Sequence, residues 1–497
     1  MKHTQLSNEV IPAEVVNAVE TLEKCGFEAY LVGGCVRDIL LGREPKDWDI
    51  TTNAKPEQII PLFKKTFYEN SFGTVAIVNE DTKNEKLKVI EITPYRIEGK
   101  YSDFRHPDEI KFGENIEQDL KRRDFTVNAM AMSLSNGSIK DIIDLYGGLR
   151  DIKDKVLRSV GDASLRFNED ALRMMRAGRL ATELGFTLNI DTEKAVNKDR
   201  MLLKQISSER IRDEFVKILM SKQPKEGIDT MYRLGILEII LPELHKAKGV
   251  TQNQAHAYDV YEHLLRSLQH AADKDWPIEI RLSALFHDIS KPETKRFSRE
   301  TGQITFYNHE VVGSRVTKTI LERMRFSTKM IDKVCTMIRW HMFFSDTETI
   351  TLSAVRRMIN NVGKDNIWDL MNLRICDRIG TGRPKENPYR LRKYKAMVEQ
   401  AMHDPISVGM LKIDGKGIME VTHETPGPKI GYILNALLEE VLEKPELNTT
   451  DYLSNRAIEL SKLPLKELIE LGNKGKEKKD KIEKGSIEEI NKKYHVQ

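Results

Sequence analysis

The sequence has few cysteines, no long apolar run and almost no net charge. Its four cysteines lie far apart and form no CxxC pair, which excludes a disulfide framework and a thiolate zinc site. No stretch of about 18 apolar residues occurs, and the first residues contain no apolar segment of signal-peptide length. We therefore expect a protein of the reducing cytoplasm with no membrane partner.

The charges balance along most of the chain. The sequence holds 79 basic and 76 acidic residues, a net charge of +3, and the final segment 473–497 alone carries eight lysines and five acidic residues. A uniformly basic surface is thus excluded, and a nucleic-acid partner would have to be bound by local basic patches. We expect the final segment to be a solvated, flexible end.

The hydrophobic pattern changes near residue 145. Before it, helix-like segments alternate with strand-like ones such as "AYLVGG", "DWDIT", "GTVAIV" and "LKVIEITPY". After it, the helical period dominates, as in "SSERIRDEFVKILM". The sequence therefore predicts an α+β chain, with an N-terminal mixed α/β domain followed by an all-α body.

Two glycines separate the first predicted strand from a helix. Gly33 and Gly34 allow the backbone to approach a ligand closely, and a helix beginning near Cys35 points its unpaired N–H groups at the same gap. A triphosphate suits this position, and Arg37 adds a charged donor one turn later. Taken alone, the two glycines are equally consistent with a tight turn.

Two aspartates follow shortly afterwards. In a strand Asp47 and Asp49 share one face, while Trp48 and Ile50 point into the core. Carboxylates so close repel each other unless a cation lies between them, and Mg²⁺ prefers carboxylates together with substrate phosphates. Glu91 is a candidate third carboxylate. A solvent-exposed strand edge is the alternative reading.

The stretch "LVGGCVRDILLGREPKDWDIT" resembles the signature of the class II nucleotidyltransferases, which include CCA-adding enzymes and bacterial poly(A) polymerases. The resemblance continues through "DLKRRDFTVNAMAM", "DLYGGLRDIKDKVLRSVGDASLRFNEDALRMMRAGRLATELGF" and "ISSERIRDEFVKIL". Together these segments cover roughly residues 28 to 220. They imply a nucleotidyltransferase head followed by a helical neck.

The resemblance also implies roles for individual residues. Asp47 and Asp49 would be catalytic and bind Mg²⁺. The implied nucleotide-binding residues are Gly33, Gly34 and Arg37 for the triphosphate, Arg123, Asp124 and Asn128 around the sugar, and Asp170, Arg173 and Arg176 around the base.

Base selection has a chemical basis in the segment "EDALRMMR". If Asp170 and Arg173 lie on one helix face, their carboxylate and guanidinium complement the amino group and ring nitrogen that cytosine and adenine both present. G and U place a carbonyl oxygen opposite the carboxylate and should be rejected. Without the resemblance, a surface ion pair would be the simpler reading.

These features lead us to expect CCA addition to tRNA from CTP and ATP. The stretch "TPYRIEGKYSDFRHPDEIKFGENIEQDLKRRDFT" resembles the flexible loop of CCA-adding enzymes. Poly(A) addition, or addition of only CC or only A, remains an alternative.

The helical half contains a second group of polar residues. His263, His287, Asp288 and Asp377 follow the H...HD...D order of the HD superfamily, which implies a divalent metal whose identity the ligands leave open. Ser290 departs from the family's HDIGKP pattern, which bears on the shape of the loop.

His309 and His341 are candidates for additional ligands or phosphate contacts in this group. The resemblance implies phosphohydrolase activity on nucleotides or RNA ends. Two further hypotheses are an HD hydrolase with an inactive head, and a nucleotide sensor or RNA-binding protein without turnover.

The predicted organisation has five parts. They are a head at 1–145, a helical neck with the base-reading motif at 146–244, an HD domain at 245–385, a C-terminal helical tRNA-binding region at 386–472 and the basic end at 473–497.

Overall fold

The computed structural model describes residues 11–69, 73–98, 110–135, 137–252, 257–299, 302–343, 350–402 and 408–496. The middle of the predicted flexible loop, 99–109, lies outside this range. The chain forms two compact units, Met1–Arg339 with Cys376–Arg383, and Trp340–Ile375 with Pro384–Gln497. The predicted HD segment 245–385 is therefore divided between the two units.

The head contains most of the strands. Its elements are α1 (Ala13–Lys24), β1 (Ala29–Val32), α2 (Gly34–Leu40), β2 (Asp49–Thr52), α3 (Pro56–Ile59), β3 (Thr66–Glu69), β4 (Thr74–Val78), β5 (Val89–Pro94), β6 (Arg96–Glu98), β7 (Ile110–Phe112), α4 (Ile116–Lys121), β8 (Met130–Ser135), β9 (Ser138–Asp144) and α5 (Gly148–Asp154).

In the described part of the head, the main sheet has the order β3-β4-β5-β2-β1-β8-β9. Neighbouring strands run antiparallel except β2 and β5, which are parallel. Apolar side chains such as Leu31, Ile50 and Ile92 are buried among those of α1 and α2. The sheet therefore places the end of β1, which leads into Gly33, beside the start of β2 at Asp49.

Gly148, the first residue of α5, packs closely against the segment that leads into β8. A Cβ atom on Gly148 would lie 2.4 Å from the carbonyl oxygen of Thr126 and 2.8 Å from Sδ of Met130. Because atoms cannot approach so closely, only glycine allows α5 to pack here. The "DLYGGLRD" segment thus fixes the backbone next to Asp124 and Asn128.

The rest of the first unit is mainly helical. Its elements are β10 (Val156–Leu157), α6 (Ala163–Glu169), α7 (Leu172–Leu184), β11 (Thr187–Leu188), α8 (Ile190–Asp199), α9 (Ser208–Met220), α10 (Pro224–Arg233), α11 (Leu237–Ile240), α12 (Pro242–His245), α13 (Val260–Asp273), α14 (Ile278–Phe286), α15 (Lys291–Thr294), β12 (Arg296–Ser298), β13 (Gln303–Thr305), α16 (His309–Arg323) and α17 (Thr328–Trp340).

One continuous apolar core joins these helices, from Phe167 on α6 to Ile338 on α17. The two small strand pairs were not expected from the sequence, because each strand is only two or three residues long. The predicted α+β class, with a mixed head and a helical body, is confirmed.

The second unit is helical over its described residues. Its elements are α18 (Leu352–Val362), α19 (Ile367–Gly380, which continues into the first unit), α20 (Tyr389–Met402), α21 (Gly415–Thr422), α22 (Pro428–Glu443), α23 (Thr450–Ser461) and α24 (Leu465–Lys493). None of the described helices is both long and apolar enough to cross a membrane.

The final segment differs from the expected flexible end. Helix α24 includes residues 473–493, and Ile490 and Val496 are buried against Ala396. Nη1 of Arg392 donates to the carbonyl oxygens of Tyr494 and His495 at 3.1 and 3.0 Å. The excess of lysine in this segment led to the expectation of a flexible end, but its apolar residues Ile490 and Val496 pack on α20.

Candidate active site

Gly33 forms the turn between β1 and α2. Its φ angle is +81°, and α2 begins directly after it, at Gly34. A Cβ atom on Gly33 would lie 2.9 Å from Nη1 of Arg123 and 3.5 Å from Oδ2 of Asp49. The lack of a side chain at Gly33 thus lets the guanidinium of Arg123 and the carboxylate of Asp49 approach this turn.

The two predicted metal-binding aspartates lie at the start of β2. The strand begins at Asp49, so Asp47 lies in the preceding bend and is exposed, while Trp48 and Ile50 are buried as expected. Burial raises the pKa of Asp49, the Asp47 charge raises it further, and Arg123 opposes both. The two carboxylates are therefore close enough to repel each other.

Glu91 lies directly beside Asp49. The parallel register of β2 and β5 pairs Asp49 with Glu91, and residues paired in register point to the same face of a sheet. Asp47, Asp49 and Glu91 carry hard oxygen donors, the ligand type that Mg²⁺ prefers, and a cation shared among them stays a prediction.

A buried carboxylate positions the arginine at the glycine gap. Asp119 is fully buried and accepts from Nη2 of Arg123 at 3.0 Å and from Nη2 of Arg122 at 2.7 Å. Burial would raise the pKa of Asp119, but the two guanidinium groups hold it below its usual range. Arg123 is thereby held over Gly33.

A chain of hydrogen bonds connects α2 to α7. Nη1 of Arg37 donates to Oδ1 of Asn128 at 2.7 Å, and Nδ2 of Asn128 donates to Oδ1 of Asp124 at 3.2 Å. Oδ2 of Asp124 accepts from Nε and Nη2 of Arg176 at 2.8 and 2.6 Å. The structure therefore brings together the residues predicted to contact the phosphates, the sugar and the base.

Asp124 is the centre of this chain. Burial would raise the pKa of Asp124, but Arg176 lowers it to about 2. The backbone N–H of Phe125 also donates to Oδ1, at 2.8 Å. With Asn128 and Arg176, these donors occupy about four lone-pair positions, the capacity of a carboxylate. A ribose hydroxyl that donated to Asp124 would therefore have to displace one of these donors or share its position on the carboxylate. The sugar contact stays a prediction.

Asp170 and Arg173 do not lie on one helix, although the sequence predicted that they would. Asp170 is the residue at the end of α6, whereas α7 begins at Leu172, and Oδ1 of Asp170 accepts from the Leu172 N–H at 3.1 Å. Nη1 of Arg173 donates to Oε2 of Glu169 at 2.6 Å, and Nη2 donates to the carbonyl oxygen of Arg122 at 3.2 Å. Arg173 is thus held next to the segment that carries Asp124.

Arg210 was not identified from the sequence. It lies on α9 and donates two hydrogen bonds to Asp170, from Nη1 to Oδ1 at 3.1 Å and from Nη2 to Oδ2 at 2.7 Å. The segment "SSERIRDEF" is part of the resemblance. Arg210 lies 40 residues from Asp170 in sequence, however, and no local pattern indicates which arginine of the segment contacts that carboxylate.

The predicted HD residues also come together. His263 lies on α13, His287 and Asp288 lie just after α14, and Asp377 lies on α19. Nε2 of His263 is 2.9 Å from Nε2 of His287, 3.2 Å from Oδ2 of Asp288 and 3.6 Å from Oδ1 of Asp377. We call these four residues the HD cluster.

The donors of the HD cluster fit a divalent metal. Each of His263, His287 and Asp288 offers one ligand atom, and these atoms lie within 4.8 Å of one another. Nδ1–H of His287 donates to the carbonyl oxygen of Ala284 at 3.0 Å, which leaves Nε2 for a metal. Imidazole and carboxylate together suit several divalent metals.

Lys291 and His309 contact Asp288. Nζ of Lys291 is 2.6 Å from Oδ2, and Nε2 of His309 is 3.2 Å from Oδ1. Burial would raise the pKa of Asp288, but Lys291 and His287 hold it well below its usual range. His309 therefore lies at the cluster as the sequence suggested, and the role of His341 as a further ligand or phosphate contact stays a prediction.

Ser290 fits its position in the HD loop. Its φ angle is −91°, so the backbone does not require glycine, and its Oγ donates to the carbonyl oxygen of His309 at 2.7 Å. The departure from HDIGKP therefore adds a hydrogen bond to the loop.

Comparison with known proteins matches three families along the chain. The poly A polymerase head domain matches residues 29–158, the probable RNA and SrmB-binding site of polymerase A matches 185–248, and the HD domain matches 260–379. The fold and the site thus define a nucleotidyltransferase head followed by a helical body with an HD domain, an arrangement that implies divalent metal use.

The CCA-adding enzyme of Lactiplantibacillus plantarum is 32% identical over 454 residues, covering 90% of this chain and 96% of the relative. That of Leuconostoc mesenteroides is 32% identical over 469 residues, covering 92% and 98%. The structure of the Bacillus stearothermophilus CCA-adding enzyme in complex with CTP is 26% identical, covers 90% of this chain and 96% of its own, and has a TM-score of 0.58. The chain belongs to the family of CCA-adding enzymes.

The low pKa of Asp124 predicts a pH-dependent contribution to stability. Because its pKa falls from an ordinary 3.8 to about 2, the ionised carboxylate stabilises the fold above about pH 4, and this contribution is lost as the pH falls towards 2. We expect Asp124→Asn to lower the free energy of unfolding at pH 7 by about 2 kcal/mol, with a smaller difference from the wild type in acid. Urea unfolding from pH 7 to pH 3 measures this.

Asp154→Asn is the control, because its ion pair with Arg150 is exposed and should contribute little. A difference between Asp124→Asn and the wild type that stays constant down to pH 3 would contradict this account of Asp124.

Proposed function

We propose that this protein adds CCA to the 3′ ends of tRNA without a nucleic-acid template, from CTP and ATP with Mg²⁺. The observation that carries the proposal is the continuous hydrogen-bonded chain from Arg37 through Asn128 and Asp124 to Arg176. It connects Arg37, one turn after the glycines, to Arg176 on α7, and so joins the residues predicted to contact the phosphates, the sugar and the base.

The head binds and orients the incoming nucleotide. Gly33 leaves room for the triphosphate, and the guanidinium groups of Arg37 and Arg123 neutralise its charge. Asp47, Asp49 and Glu91 would hold Mg²⁺. When bound, Mg²⁺ lowers the pKa of the attacking 3′-hydroxyl and stabilises the leaving pyrophosphate oxygen.

The base is selected by fixed side chains. Asp170 accepts from the amino group of C or A, while Arg173 donates to the ring nitrogen beside it. Because Arg210 holds Asp170, and Glu169 holds Arg173, neither side chain can turn to suit G or U. Discrimination then comes from the polar groups that a wrong base would leave unpaired.

The relatives favour CCA addition over poly(A) addition. The head family is shared by both activities, but relatives that match over more than 90% of their length are CCA-adding enzymes. The Bacillus stearothermophilus enzyme was solved with CTP. The four cysteines are free thiols, as suits the cytoplasm, where we place the reaction.

The first test uses tRNA that lacks its 3′ end, incubated with CTP, ATP and Mg²⁺. We expect three added nucleotides, whereas one, two or many would indicate A addition, CC addition or a polymerase.

Asp49→Asn should lower the rate at least about 100-fold, since a metal site contributes several kcal/mol to such a reaction. Asp81→Asn, which removes an exposed carboxylate of the head, is the control. Full activity of Asp49→Asn would refute the proposed metal site.

A second test concerns Arg210. Arg210→Lys keeps the charge but removes the forked pair with Asp170, so we expect kcat/KM for CTP and ATP to fall about tenfold and incorporation of UTP to rise. Single-nucleotide addition with each triphosphate measures both effects. Arg212→Lys, two residues along the same helix, is the control. Unchanged discrimination in Arg210→Lys would exclude this role.

The HD cluster supports a second candidate function, a phosphohydrolase for nucleotides or RNA ends. Hydrolysis adds one water across a phosphate ester bond and leaves a phosphate and a free hydroxyl. His263, His287, Asp288 and Asp377 would hold the metal, and Lys291 neutralises charge beside Asp288. When bound, the metal activates water.

His287→Ala should abolish metal-dependent phosphatase activity and reduce bound metal at least about tenfold, because a ligand is lost. Nucleotide addition should persist in the same preparation. Elemental analysis and phosphate release measure the two effects, with His245→Ala, a histidine stacked on Tyr232, as the control. Full phosphatase activity in His287→Ala would rule out the assignment.

A further inference from the structure

A short hairpin next to the HD cluster exposes two aromatic rings. Strands β12 and β13 pair antiparallel, with Phe297 opposite Ile304. The side chain of Phe297 is 67% exposed, and Tyr307, two residues past β13, is 77% exposed. Both rings therefore offer exposed faces on which a base could stack. We call residues 295–299 and 303–307 the aromatic hairpin.

The aromatic hairpin is joined to the HD cluster at both ends. It follows α15, which begins at Lys291, and it precedes α16, which begins at His309. The ammonium of Lys291 lies 5.3 Å from the ring centroid of Phe306, whose carbonyl oxygen accepts from Nδ1 of His309 at 2.7 Å. A ligand on the hairpin would therefore lie beside the HD cluster.

The charge of the hairpin suits an anion. The stretch 295–307 contains three basic residues and one acidic residue. Lys295 donates to the hydroxyl of Thr251, and Arg296 donates to backbone carbonyl oxygens. Over the described residues no ion pair joins Lys295, Arg296 or Arg299 to a carboxylate. These charges are thus available to phosphate groups.

We propose that the aromatic hairpin binds the single-stranded 3′ end of an RNA and presents its terminal phosphate to the HD cluster. Bases stack on Phe297 and Tyr307, while Lys295, Arg296 and Arg299 contact the backbone, the combination that single-strand binding proteins use. The presentation step rests on the proposed hydrolase function. It makes an RNA end, rather than a free nucleotide, the substrate class of the HD cluster.

Local fluorescence tests the binding surface directly. Phe297→Trp and Tyr307→Trp each place an indole on the hairpin, and a short oligoadenylate should quench its emission, with binding weakened by added salt. Phe67→Trp is the control, because Phe67 is 63% exposed on β3 of the head. Absence of quenching at both hairpin positions, or equal quenching at position 67, would overturn the proposal.

Hydrolysis tests the substrate class. In the double variant Phe297→Ala and Tyr307→Ala, the KM for an RNA ending in a 3′-phosphate should rise about fivefold or more relative to the KM for p-nitrophenyl phosphate. The corresponding double Trp variant should restore it. Equal effects on both substrates would contradict presentation by the hairpin. If the wild-type chain hydrolyses neither substrate, the hydrolase function fails, and the quenching result alone decides whether the hairpin binds RNA.

Discussion

The carboxylate of Asp124 connects parts of the first unit that are far apart in sequence. It accepts from Arg176 on α7 and from Asn128, which in turn accepts from Arg37 on α2. Because Arg176 keeps the pKa of Asp124 near 2, the carboxylate stays ionised under ordinary conditions. The position of α7 relative to α2 and its preceding glycine turn depends on this ion.

Three residues of the predicted site, in the head and the neck, are each held by a second charged group. Asp119 positions Arg123, Arg210 positions Asp170, and Glu169 positions Arg173. Such pairs contribute little on a solvated surface, but in a half-buried site they fix the direction of each donor and acceptor. The proposed selection between bases would require that rigidity, since an adaptable pair would accept any base.

The HD cluster combines imidazole and carboxylate groups, whereas the predicted metal ligands of the head are all carboxylates. Two imidazole nitrogens lie 2.9 Å apart among carboxylate oxygens, an arrangement that a divalent cation would stabilise. The aromatic hairpin extends from the two segments that carry Lys291 and His309. A chain that both removes groups from RNA ends and rebuilds them would need to bind the same kind of substrate at both sites.

The sequence by itself determined the α+β class, the glycine turn before α2 and the chain order of the HD residues, because these depend on hydrophobic pattern, local backbone geometry and residue order. Only the tertiary structure decided that Asp170 pairs with Arg210, that Asp47 precedes the strand, and that the lysine-rich end packs as a helix. Those outcomes depend on which side chains meet across tens to hundreds of residues, and packing rather than local pattern sets them.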